Sequence, residues 1–226
     1  MSDYDYKIKV FLESEIQEML KPNILEFGVR EGRSTKIFLD LCKKKGGKLF
    51  SVDVDDYSNL FDDQNWTFLQ TRDDNFEFLK EKLPKKFDII YLDSIHEADH
   101  VEKIFYYYYN FLKIGGQFYI DDISWLPYLK SNYRDNFYCE INNRETFKRL
   151  MKIYNNNFDN FDIFFTFISS GMCRIIKKED HLNQPKKIIS REKSFKNIGI
   201  VINELSAQND VNNIERATFP LTNFVA

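Results

Sequence analysis

The sequence predicts an α/β protein built on a mostly parallel sheet, closed at its C-terminal end by an antiparallel hairpin. Three observations lead there. Short apolar runs alternate with amphipathic stretches of helical period, the βαβ signature of a parallel sheet. The first run, Asn23 to Phe27, passes into Gly28 and Gly32 and opens a helix at Ser34 or Thr35, which is a nucleotide-binding βα turn. Finally, 226 residues with 43% hydrophobic content suit one α/β domain, drawn here over residues 1–178, followed by an extension over 179–226.

The elements follow in order. Val10 to Leu20 sets Val10, Phe11, Ile16, Met19 and Leu20 among acids and is ended by Pro22, a helix leaning on the sheet. The helix after the glycine turn presents Ile37, Phe38, Leu41 and Cys42. Its late Lys43, Lys44 and Lys45 suit the C-terminal dipole, and Gly46 and Gly47 stop it. Lys48 to Asp53 is a second strand running into Asp53, Asp55 and Asp56. Trp66 to Leu69 is a third, after which Asp73 or Asp74 caps a helix carrying Phe76, Leu79 and Leu83.

Phe87 to Asp93 is the continuous apolar run that a central parallel strand requires. After Ser94-Ile95-His96-Glu97 a helix repeats Val101, Ile104, Phe105, Tyr108, Phe111 and Leu112, with Gly115 and Gly116 as its stop. Gln117 to Ile120 is a fifth strand leading to Asp121 and Asp122. Trp125 to Asn143, with Trp125, Tyr128, Tyr133, Arg134, Phe137 and Tyr138, reads as a long aromatic lid or binding loop. A helix over residues 144–154 precedes two strands, Asp162 to Ile168 and Met172 to Lys178, which form the hairpin. Beyond Glu179 the chain turns polar, and Asn197 to Leu205 is its one strand-like stretch. The extension is either an arm that wraps a partner subunit in a homo-oligomer or closes the site, or a surface-hugging or disordered tail.

A net charge of -3 gives no global attraction to phosphate backbones, so nucleic acid is not the first expectation. Lacking an apolar run of membrane length, and with a charged Met1 to Lys9 free of a signal core, the chain reads as soluble and cytoplasmic. Cys42, Cys139 and Cys173 are too scattered for a disulfide framework or structural zinc.

Parallel sheets bind ligands beyond the carboxyl ends of their strands. Gly28, Asp53, Asp93 and Asp121 all fall on that edge. Neighbouring strands lie about 5 Å apart, so Asp93 and Asp121 or Asp122 can converge, and close carboxylates favour a hard cation such as magnesium. Asp121 and Asp122 can share one ion only if the strand ends between them. His96 stands at a helix start above the same edge, and an imidazole can take a proton from a hydroxyl. Each of these residues also has a plain structural reading, as a helix cap or turn residue.

The acidic-x-Gly-x-x-x-Gly-x-Ser pattern of Glu26, Gly28, Gly32 and Ser34 resembles the first motif of class I S-adenosylmethionine-dependent methyltransferases. Arg30, inside the turn, stands where a dinucleotide fingerprint needs glycine, which disfavours NAD. The resemblance covers about Pro22 to Lys178 and implies a Rossmann-like, seven-stranded sheet in the order 3-2-1-4-5-7-6. It implies Glu26 near the methionine end of the cofactor, Asp53 on the ribose and Asp74 near the adenine. The Asp-x-x-His element with a later acid pair is similar to the metal-dependent macrocin and mycinose-type O-methyltransferases and cephalosporin-hydroxylase-like proteins. That likeness implies Asp93, Asp121 and Asp122 as magnesium ligands and His96 as base. The first acid of the pair is often glutamate in such relatives, whereas Asp121 is one methylene shorter. The implied function is magnesium-dependent O-methylation of a hydroxyl on a small molecule or sugar. Two alternatives are a metal-independent methyltransferase of protein or nucleic acid, and a non-catalytic nucleotide-fold scaffold.

Overall fold

Alternation along the buried strands decides which helices cover which face of the sheet. In β1 (Asn23–Phe27) Ile24 enters one core while Leu25 and Phe27 enter the other, and in β4 (Phe87–Leu92) Ile89 and Tyr91 oppose Ile90 and Leu92 in the same way. The first face is covered by α1 (residues 3–16) through Ile8, Leu12 and Ile16, and by α2 (Arg33–Lys45) through Phe38, Leu41 and Cys42. The other is covered by α3 (Phe76–Lys82), α4 (Ala98–Tyr108) and α5 (Phe137–Asn155), which bring Leu79, Ile104, Phe105, Leu150 and Ile153. Apolar burial on both faces is what makes the central strands nearly continuous hydrophobic runs. The computed structural model describes residues 3–125 and 137–184, which fall in one compact unit, Met1–Gln184.

With β2 (Lys48–Asp53), β3 (Trp66–Gln70), β5 (Leu112–Asp121), β6 (Phe161–Thr166) and β7 (Met172–Lys177), the sheet has seven strands in the order β3-β2-β1-β4-β5-β7-β6. Pairings are parallel except for β7, which is antiparallel to both β5 and β6. This is the architecture expected from the sequence. Phe27 is level with Val52 and Leu92, and Leu92 with Ile120. The residues that follow, Gly28, Asp53, Asp93 and Asp121, therefore emerge side by side at the point where the strand order reverses.

Several boundaries differ from expectation. α1 begins at Asp3, not Val10, and contains a π-helical stretch, Ile8–Glu13; charged side chains in its first turn hide the helix from an apolar count. α4 gives way to a 3-10 turn at Tyr109–Phe111, and β5 starts at Leu112 instead of Gln117. Gly115, at φ 77°, and Gly116 thus sit in a register irregularity of β5 and are not a helix stop. α5 begins at Phe137, so the end of the expected loop is helical. Trp125 packs its ring 4.9 Å from that of Phe147 and 5.8 Å from that of Phe167. Tyr128, Tyr133 and Arg134, the expected strand Asn197 to Leu205 and the extension past residue 184 lie outside the described residues. Among the described residues no helix is long and apolar enough to cross a membrane.

Candidate active site

The glycine turn is held by the residues around it. Gly28 adopts φ 93°, and a Cβ there would lie 2.0 Å from the Asp93 carbonyl oxygen, so only glycine lets β1 turn against the end of β4. Gly32 begins α2 at φ 71° beside Leu60 and Phe61. Between them the Val29 and Arg30 N–H groups donate to Asp53 Oδ2 at 2.7 and 3.4 Å. Asp53 thus shapes the turn while standing at the end of β2. Glu26 is fully buried and accepts from Ser34 Oγ at 2.6 Å and Ser51 Oγ at 2.7 Å, which ties β1 to α2 and β2. Desolvation pushes its carboxyl up to about 7 against the pull of those hydroxyls. Glu26 braces the turn from inside.

A cavity of about 450 Å³ runs from Gly28 and Asp93 past Arg30, Asp53 and Tyr57 to Asp73 and Ile95. Its size is that of a small-molecule site. A carboxylate for ribose hydroxyls, apolar Val54 and Ile95, and the aromatic Tyr57 fit an adenosyl group. Asp74 does not line it. That carboxylate pairs with Arg72 at 2.9 Å and Lys103 at 3.1 Å, and the two cations hold it down to about 2. Asp73 takes the wall position instead, accepting from Ser94 Oγ at 2.5 Å and meeting His100 Nε2 at 2.8 Å. Adjacent acids after β3 cannot be told apart by spacing; only the path of the chain there separates them.

A second cavity of about 340 Å³, lined by Tyr4, Arg30, Arg33, Ser34 and Asp93, joins α1 to the same edge. Neither Tyr4 nor Lys7 was singled out from the sequence. They stand at the start of α1, ahead of the apolar stretch from Val10, where no periodicity marks them.

The acids divide into two groups. His96 Nε2 lies 3.5 Å from Asp93 Oδ1 and 3.6 Å from Asp122 Oδ2, and all three side chains reach solvent. β5 ends at Asp121, and Asp122 adopts a left-handed φ of 58°, which satisfies the condition that the strand stop between the two acids. Asp121 turns inward to Lys7, Ser170 and Tyr91. Burial and the charges of Asp121 and Asp122 push the Asp93 carboxyl well above the usual carboxylate range, while Lys7 pulls it back.

Among the described residues no group of three or more His, Cys, Asp or Glu is arranged to hold a metal ion. The three-acid set expected from the sequence is therefore not assembled as such. Magnesium, however, keeps several waters and is commonly bound through one or two carboxylates. Asp93 and Asp122, with side chains 29% and 17% exposed on either side of His96, fit that demand.

Residues 25–123 match a family model described as a methyltransferase domain. No curated protein sequence matches. Among solved structures, the chain is similar to the MycE methyltransferase of the mycinamycin biosynthetic pathway in complex with Mg and SAH. That likeness has a TM-score of 0.55 at 19% identity over 82% of this chain and 51% of that one, so the chain spans about half the length of MycE. A putative caffeoyl-CoA O-methyltransferase from Staphylococcus aureus has a TM-score of 0.56 at 16% identity, over 74% of this chain and 80% of that one. The SAH-bound methyltransferase PaMTH1 of Podospora anserina has a TM-score of 0.57 at 14% identity, over 78% and 86%.

Proposed function

We propose that this chain, which carries a match to a methyltransferase domain over residues 25–123, is a class I S-adenosylmethionine-dependent methyltransferase that methylates a hydroxyl oxygen of a small-molecule or sugar acceptor with the help of a divalent cation. The observation that supports this reading is the meeting of His96 with Asp93 and Asp122 on the sheet edge that also carries the Gly28 turn. S-adenosylmethionine, when bound, supplies an electrophilic sulfonium methyl. Gly28, Arg30, Asp53 and Asp73 would hold it, because they line the cavity of adenosyl size. Magnesium, when bound, holds an acceptor hydroxyl and lowers its pKa; Asp93 and Asp122 would hold the ion.

His96 accepts the acceptor's proton, and the two carboxylates beside it stabilise the imidazolium that results. His96, in the short loop between β4 and α4, would meet an acceptor held at the strand ends in one orientation, which is where much of the rate enhancement in such a transfer arises. A mycinamycin-bound complex of the MycE methyltransferase holds Mg and SAH together, and a cation held by Asp93 and Asp122 would suit an acceptor bearing vicinal oxygens.

The test is calorimetric titration with S-adenosylhomocysteine, with magnesium and again with chelator, using NAD as control. Saturable binding of the homocysteine compound and not of NAD is expected. Polyhydroxylated acceptors are then screened with labelled cofactor, where chelation removes methyl transfer. His96→Ala lowers kcat by about 10²- to 10⁴-fold while leaving cofactor affinity unchanged. Turnover that survives both the chelator and His96→Ala would refute the proposal.

A further inference from the structure

We propose that Lys7 is a resident cation of this centre: it neutralises Asp121 and keeps that carboxylate out of the metal's ligand set, leaving Asp93 and Asp122 as the protein's ligands. The inference rests on the metal-dependent reading above. The Lys7 ammonium has three acceptors for its three protons: Asp121 Oδ1, Ser170 Oγ at 2.8 Å and the Gly171 carbonyl at 3.4 Å. Asp121 is equally engaged. Its Oδ1 also receives the Asp122 N–H at 2.7 Å and the Ser170 hydroxyl at 3.3 Å, and its Oδ2 receives the Tyr91 hydroxyl at 2.8 Å.

The side chains of Lys7 and Asp121 are 0% and 1% exposed, against 29% for Asp93 and 17% for Asp122. A divalent ion could claim Asp121 only by displacing an ammonium whose hydrogen-bond acceptors among the described residues include no other carboxylate, and breaking a buried pair strands a charge. The charges also match once an ion is bound: with Asp93 deprotonated, one lysine against three aspartates leaves two negative charges, the complement of a single divalent ion.

The position of Lys7 is built in by its helix. Ile8, Leu12 and Ile16 anchor α1 in the core, and Glu15 pairs with Arg174 of β7. The Tyr4 ring lies 4.8 Å from the Lys7 ammonium and lines the 340 Å³ cavity with Asp93. Lys7 is accordingly a positioning residue, which acts on the metal through Asp121.

The test is Mn²⁺ binding to the full chain, followed by electron paramagnetic resonance without acceptor. Asp93→Asn and Asp122→Asn each weaken binding by at least about tenfold. The paired variant Lys7→Met/Asp121→Asn, which leaves no stranded charge, binds within about threefold of wild type, whereas Lys7→Met alone binds about fivefold tighter because Asp121 is released toward the ion. If the paired variant loses Mn²⁺ as fully as Asp93→Asn, Asp121 is a ligand and the inference fails alone. If the wild type binds no Mn²⁺, the metal-dependent reading and this inference fall together.

Discussion

Replacing Glu26 by Gln tests whether the glycine turn is braced by a carboxylate that prefers to be neutral. Glu26 is fully buried, and among the described residues its hydrogen-bond partners are the Ser34 and Ser51 hydroxyls, with Ser51 Oγ in turn receiving the Trp66 indole N–H at 2.9 Å. Burial lifts its pKa from 4.5 to about 7. The folded state therefore binds the proton more tightly than the unfolded chain. The stability this contributes is fully present below about 4.5 and is lost as pH rises to about 7. At 1.36 kcal/mol per pH unit, the loss across that window is about 3 kcal/mol. Glutamine keeps the shape and carries no charge, and its amide can donate to one serine and accept from the other. Urea unfolding of both proteins from pH 5 to pH 8 gives the stability difference between them, in which every other titrating group cancels. That difference should shift toward the variant by about 2–3 kcal/mol between the two ends. A difference flat with pH would refute the assignment.

Three further substitutions address the 450 Å³ cavity and the acids beside it. Gly28→Ala drives a Cβ to 2.0 Å from the Asp93 carbonyl at a φ of 93°, so it should lose about 2–4 kcal/mol in urea unfolding and bind S-adenosylhomocysteine poorly. Asp73→Asn disturbs the bonds to Ser94 and His100 on the cavity wall and should weaken that binding by about tenfold in calorimetry. Asp74→Asn cuts only the outward pairs to Arg72 and Lys103 and should leave affinity within about twofold; an equal loss in both variants would put Asp74 back at the adenine.

What could be read from the sequence tracks the range of the interactions involved. The strand and helix alternation was legible from periodicity, the sheet order came from the resemblance that the Glu26 to Ser34 motif carries, and the edge residues Gly28, Asp53 and Asp93 follow directly once each strand's end is known. The choice between Asp73 and Asp74 was not legible, since both satisfy the same cap pattern and only Arg72 and Lys103 draw the second one outward. The Lys7–Asp121 pair spans 114 residues, and a lone lysine in a polar first turn has no periodicity to betray its burial. One signal did exist. Three aspartates closing adjacent parallel strands require positive charge, and a metal ion is the partner that a carboxylate pattern suggests by itself. A chain can also meet part of that demand with its own ammonium, delivered by whichever helix packs over the strand ends. On the reading proposed above, counting the acids of such a centre overstates its metal ligands by the number of buried lysines that reach it, and among the described residues Lys7 is such a lysine.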